Sequence, residues 1–155
     1  MVEAMEQRLS IVTLGVNDLS RAKQFYLNGL GWTEVDQPSA EVCFIQLTSI
    51  VLGLYGWDAL AADMGLERPR PTSDYPKFRG TSLAYNTQSE AQTDEVMEVA
   101  VSAGATLIKK PQPVFWGGYS GYFADPDGHA WEVAYNPFTV PSPDGSFVMT
   151  DDPAT

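Results

Sequence analysis

Few side chains in this 155-residue chain suit proton transfer or metal binding. There is one histidine, His129, and it stands three residues before a glutamate, Glu132. Both lie in the run from Gly118 to Ala134, which reads as strand, tight turn, strand. The turn is Asp125-Pro126-Asp127-Gly128. Proline presets φ at the first central position, aspartate bonds its own backbone, and glycine accepts positive φ. The alternation of Trp131 and Val133 with Glu132 and Ala134 then gives the second strand two unlike faces. A carboxylate at Glu132 can act as a general base. It can equally be the polar partner of a neighbouring strand or of a ligand. The single cysteine, Cys43, sits in the apolar run Val42 to Leu47 and reads as a small buried hydrophobe. With one cysteine, an internal disulfide is impossible.

The elements that position Glu132 repeat along the chain. Ile11 to Val16 is a β-branched run, followed by Asn17 and Asp18, either of which can cap a helix. Leu19, Ala22, Phe25, Tyr26 and Leu30 recur at helical spacing, with a stop at Asn28, Gly29 and Gly31. Strands are predicted at Trp32 to Val35, Val42 to Leu47 and Ile50 to Tyr55, with Thr48-Ser49 as a two-residue hairpin loop. The second pass has a strand at Thr81 to Tyr85 and a helix over Ala91 to Ala103, ended by Gly104. Strands at Thr106 to Ile108, Gly118 to Phe123 and His129 to Ala134 complete it. Leu14-Gly15-Val16-Asn17 aligns with Leu83-Ala84-Tyr85-Asn86. One domain is expected over residues 1–155. It comprises a first module (9–55), a linker (56–79), a second module (80–137) and a tail (138–155). The linker contains a short helical run, Asp58 to Met64, then a proline-stiffened stretch, Arg68 to Pro76. Pro143-Asp144-Gly145 signals a turn in the tail, with Phe147 to Met149 as a final short strand.

A repeated β-α-β-β-β order closed by this hairpin resembles the vicinal oxygen chelate superfamily, over about residues 9 to 137. That superfamily includes glyoxalase I, extradiol dioxygenases, fosfomycin-resistance enzymes and bleomycin-resistance proteins. The resemblance implies an α+β fold in which two modules form curled mixed sheets around a cleft. In metal-dependent members, a His near the start of each module's first strand and a Glu, Gln or His in each last strand hold the ion. Carried onto this chain, those positions fall at Ile11, Gly53, the Gly80 to Ser82 start and Glu132. Only Glu132 is a donor of the required kind, so no metal and no cofactor is expected. By the family's parity, Glu132, Ile11, Thr13, Gly15, Gly53 and Tyr55 face the cleft, while Trp131 and Val133 face the helix.

The ligand-binding candidates are Thr13, Tyr55 and Ser82 as polar neighbours of Glu132, with Phe115 and Trp116 at the mouth. The two aromatics can stack on a planar or cationic ligand, or simply cover the end of the sheet. The resemblance implies a metal-independent small-molecule binding protein, with a lyase, isomerase or dioxygenase-like enzyme built on Glu132 as the alternative. Twenty acidic against nine basic residues, a formal net charge of −11, exclude a nucleic-acid or anionic-membrane partner and favour a cationic or aromatic small molecule. Open sheet edges imply a homodimer. No apolar stretch has the form of a signal peptide or a membrane span, so a cytoplasmic location is expected.

Overall fold

Each half of the chain folds into one sheet in the computed structural model, which describes residues 5–36, 40–67 and 78–149. The first sheet holds β1 (Ile11–Val16), β2 (Val42–Gln46) and β3 (Val51–Gly56) in the order β1-β3-β2. β1 runs parallel to β3, and β2 antiparallel to it. The loop between β2 and β3 closes through Leu47 N–H to Ile50 O at 2.9 Å, with Thr48 and Ser49 at its tip. α1 (Leu19–Lys23) starts under the Asp18 carboxylate, which accepts the Arg21 N–H at 3.1 Å. It continues as a π-helical turn over Gln24–Gly29. Both consecutive aromatics of that turn, Phe25 and Tyr26, are buried.

α2 (Trp57–Asp63) follows directly on β3. The second sheet is built from β4 (Leu83–Thr87), β5 (Thr106–Pro113), β6 (Tyr119–Ala124) and β7 (Ala130–Tyr135), ordered β4-β7-β6-β5. α3 (Glu90–Ser102) crosses from β4 to β5, with Ser89 Oγ accepting the Gln92 N–H at 3.0 Å. The β-α-β-β-β order is therefore complete in the second module. In the first, the strand predicted at Trp32 to Val35 is reduced to a single bridge between Glu34 and Ile45. The reason is local. Trp32 N–H bonds to Tyr26 O at 3.1 Å, and the Trp32 ring lies 5.7 Å from Tyr26 and 5.9 Å from Trp131. The aromatic cluster claims the residue that an edge strand would have used.

One core joins the modules. Leu14, Val16, Phe25, Tyr26, Ile45 and Leu52 of the first pack with Met97, Phe123, Trp131 and Val133 of the second. Burying each of the two consecutive aromatics contributes on the order of 2 kcal/mol. Phe123 stacks on Trp131 with ring centroids 6.2 Å apart. As the alternation predicts, Trp131 and Val133 are buried while Glu132 faces the other way. In the tail, the Pro143-Asp144-Gly145 turn forms, with Gly145 N–H donating to Ser142 O at 2.8 Å. Phe147 to Met149 does not become a strand, because no neighbouring strand pairs with it. The proline-rich stretch Arg68 to Pro76 lies outside the described residues, as do residues 150–155 of the tail. Among the described residues no helix is long and apolar enough to cross a membrane.

Candidate functional site

The β6–β7 turn has positive φ at Gly128 (+85°), and closes through Gly128 N–H to Asp125 O at 3.0 Å. Its side chains reach into the other module. Asp125 Oδ1 accepts the N–H groups of Asp127 and His129, each at 2.9 Å. Asp125 Oδ2 accepts the Tyr26 hydroxyl at 2.6 Å, and that hydroxyl accepts Trp131 Nε1–H at 3.0 Å. Burial pushes the Asp125 carboxyl above its ordinary pKa, even though its hydrogen bonds pull the other way. Burial likewise raises Tyr26 well above the ordinary phenol value, and the Asp125 charge adds to it.

Asp127 and His129 complete the clasp. Asp127 Oδ1 accepts Asn17 N–H at 2.8 Å and Arg21 Nη2 at 3.0 Å. Arg79 Nη2 donates to Asp127 O at 2.8 Å, and Arg79 Nη1 lies 3.2 Å from His129 Nδ1. A guanidinium only donates, so Nδ1 accepts, and Nε2–H then donates to Gly15 O at 2.7 Å. The Arg79 guanidinium also sits 5.5 Å from the centre of the Trp57 ring at the start of α2. His129 and Asp127 therefore hold the β1–α1 junction, and Asp125 the following π-helical turn, to the β6–β7 hairpin.

Glu132 lies on the face turned away from the core, between Ala84 of β4 and Tyr122 of β6. The Tyr122 hydroxyl donates to Glu132 Oε2 at 3.0 Å. Burial, then the Glu132 carboxylate, raises the Tyr122 pKa. Ser82 is exposed and immediately precedes β4. On the first sheet, Thr13 stands opposite Gly53, and Tyr55 opposite Gly15. Trp57 covers Gly15 so closely that a Cβ there would lie 2.9 Å from its ring.

Phe115 is fully exposed, and the Trp116 indole folds over Gly118 in the same turn, where a Cβ would overlap the ring. That turn joins β6 at Tyr119, opposite Tyr135. It is three residues, or about 10 Å of strand, from the Tyr122–Glu132 pair. Thr13, Gly53 and Tyr55 thus belong to one sheet, Tyr122 and Glu132 to the other, and Ser82 lies just before its first strand. Sequence reasoning missed Tyr122 as the partner of Glu132. Equal counting outward from the Asp125–Gly128 turn would set residue 122 opposite residue 131; the pairing with 132 follows because Asp125 N–H bonds His129 O, one residue beyond that turn. A cavity of about 280 Å³ lies elsewhere, against α3, and includes neither Glu132 nor Tyr122.

The donors do not fit a divalent ion. Ile11 has none, and Gly53 has no side chain. A Cβ at Gly53 would lie 3.0 Å from Thr13 Oγ1 and 3.3 Å from the Phe44 ring, so a longer residue meets occupied space. Among the described residues, no three His, Cys, Asp or Glu side chains converge where an ion could sit.

The sheet order, the paired modules and the position of Glu132 define a protein of the glyoxalase class. The chain belongs to the Glyoxalase/Bleomycin resistance protein/Dioxygenase superfamily, whose family model matches residues 8–133. Among solved structures, it is similar to a glyoxalase-related enzyme from Fulvimarina pelagi at 34% identity, covering 94% of this chain and 99% of that one, with a TM-score of 0.81. A glyoxalase/bleomycin resistance protein/dioxygenase family enzyme from Burkholderia phytofirmans PsJN is 24% identical over 81% of this chain and 96% of its own, TM-score 0.68. A lactoylglutathione lyase from Agrobacterium tumefaciens shares the fold at 19% identity over 84% and 95%, TM-score 0.59. No curated protein matches the chain.

Proposed function

We propose that this chain is a small-molecule binding protein of the glyoxalase/bleomycin-resistance type, and that its Glu132 face works without a divalent metal. The observation that carries the reading is the donor inventory: of the four positions where metal-dependent relatives place ligands, only Glu132 has a carboxylate or imidazole. Lewis-acid chemistry would need several such donors around one ion. Glu132 instead offers a hydrogen-bonding pair with Tyr122, and among the described residues its second carboxylate oxygen has no partner. That oxygen suits an N–H or a cationic group on the ligand, which the net charge of −11 also favours. Thr13 and Tyr55 supply hydroxyls from the first sheet, and Ser82 one from just before β4. Phe115 and Trp116 are reserved for a ligand long enough to reach the turn between β5 and β6.

A second reading is an enzyme, a lyase, isomerase or dioxygenase-like member with Glu132 as base. It is favoured by the Tyr122 hydroxyl, which orients Glu132, and by the 34%-identical relative being named an enzyme. We also propose a homodimer, because β5 is an edge strand exposed along nearly its whole length. Light scattering that gives a monomer at micromolar concentration would remove that proposal.

A thermal-shift screen of small cationic and aromatic compounds tests the main reading. A binder at a hundredfold excess over its Kd stabilises by about 2.7 kcal/mol, or about 5–10 °C for a chain of this size. The binding reading predicts a shift that Glu132→Gln and Tyr122→Phe reduce, with no conversion of the compound. Turnover lost in Glu132→Gln would establish the enzyme reading instead. A shift unchanged by both variants would take the site away from this face.

A further inference from the structure

The core face of the molecule is incompletely filled where the two modules meet. Leu30, Trp32, Val96, Val99, Phe123 and Trp131 line a cavity of about 280 Å³. Its origin follows from the missing edge strand. Trp32 turns into the aromatic cluster, and among the described residues the chain there touches the sheet only at the Glu34–Ile45 bridge and the Val35–Phe44 hydrogen bond. Tyr85 shows the consequence. It projects from the helix-facing side of β4 and lines the cavity, yet it remains 42% exposed. Val99, on the facing side of α3, is also open to solvent. Interiors are ordinarily close-packed, so an open hollow walled by two indoles and a phenyl ring is a site for an apolar group.

The rim adds a sign. Glu95 borders the cavity, and it borders a second hollow as well, formed by Asn28, Gly29, Glu98, Val99, Ser102 and Ala103. The two hollows share Glu95 and Val99, so the apolar chamber opens onto a shelf that carries two carboxylates. Among the described residues neither Glu95 nor Glu98 has an ion-pair partner. Gln92 is at the same rim, its amide oxygen accepting the Gln88 N–H at 2.7 Å.

We propose that this cavity is a second ligand site, distinct from the Glu132 face, that takes a small ammonium compound: an aromatic or branched apolar body between Trp32 and Val99, and the cationic head on the Glu95–Glu98 shelf. The volume is near the lower end for small-molecule pockets, roughly 300–1,000 Å³, and suits one ring with a short chain. The aromatic walls present ring faces and edges that pack well against such a body. The carboxylates are exposed, so they choose the sign of the ligand more than they strengthen its binding.

The test is an NMR titration of ¹⁵N-labelled protein with three probes of similar shape: 2-phenylethylammonium, 2-phenylethanol and 3-phenylpropionate. The proposal expects saturable shifts at the Trp32 and Trp131 indole N–H groups and at the Val96 and Val99 amides. The cation binds tightest and the anion weakest. Glu95→Gln weakens the cation about threefold and leaves the alcohol unchanged, as expected for one exposed ion pair. Val99→Trp changes an exposed position, so the fold survives, and it fills the chamber and removes the shifts. The proposal is overturned by the absence of saturable shifts in this group at millimolar probe. It is also overturned by shifts centred on Tyr122 and Glu132 instead, or by equal affinity for all three probes.

Discussion

The two ends of one hairpin have opposite fates. At the turn, Asp125, Asp127 and His129 are tied by hydrogen bonds to Tyr26, Asn17, Arg21, Arg79 and Gly15, and the two aspartates are almost wholly buried. A few residues along, Tyr122 and Glu132 make one hydrogen bond to each other and look outward. Both ends are rich in groups able to do chemistry. What separates them is access: Asp125 accepts three hydrogen bonds in the interior, and Asp127 Oδ2, though it has no hydrogen-bond partner among the described residues, is sealed from solvent, whereas Glu132 keeps one oxygen open where a ligand could reach it. The polar motif that stands out most in the sequence is therefore a clasp between modules, and the candidate site is the quieter residue beside it.

Substitutions at the two ends should differ accordingly. The largest effect is expected from Tyr26→Phe. It removes the hydroxyl that bridges Asp125 Oδ2 and Trp131 Nε1, stranding an acceptor and a donor in the core. At about 1–3 kcal/mol for each unsatisfied group, the loss should be about 3 kcal/mol by chemical denaturation. Glu132→Gln, at the open end, should cost under about 0.5 kcal/mol. Equal losses at the two positions would erase the distinction.

Arg79→Ala comes next, at about 1–2 kcal/mol, for the hydrogen bonds to Asp127 O and His129 and the stacking on Trp57. Because Arg79 ties α2 to the turn, amide exchange should quicken across Trp57–Asp63 while β6 and β7 stay protected. Unchanged exchange in α2 would show that the clasp ends at His129. The smallest effect is a slope with pH. Burial, and then the nearby Glu34 carboxylate, push the Cys43 thiol from 9.0 up to about 11. A raised folded pKa means that the contribution is fully present below the unfolded value and fades as pH rises from about 9 to about 11. Urea midpoints measured over that window should fall less steeply in Cys43→Ala than in the parent. Identical slopes would contradict the burial of the thiol.

Local patterns carried most of the fold. β1 forms where the β-branched run predicts, and Asp18 proves to be the helix cap. The Asp125–Gly128 turn follows from its residue types alone, because each acts within four residues. Elements decided by distant neighbours were less legible. The strand expected at Thr106 to Ile108 runs on through Lys109, Lys110 and Pro111 to Pro113, with shifts in register. It is an edge strand, where proline and lysine are tolerated. Trp32 to Val35 has strand composition, but it is outcompeted by Tyr26 and Trp131, residues the sequence does not place beside it. At the candidate site, the isolation of Glu132 among the expected ligand positions was readable from residue types. The clasp was not, since Arg79 and Gly15 meet His129 only after both modules have folded. Nor was the covering of Gly15 by Trp57, which depends on where α2 lands.

Glu132 is proposed to work without a divalent ion. The direct measurement is the metal content of parent and Glu132→Gln protein by mass spectrometry, after equilibration with zinc, nickel, manganese and ferrous ions and passage through a desalting column. The prediction is far less than one ion per chain, and the same trace amount in both proteins. One ion per chain in the parent, lost in Glu132→Gln, would contradict it.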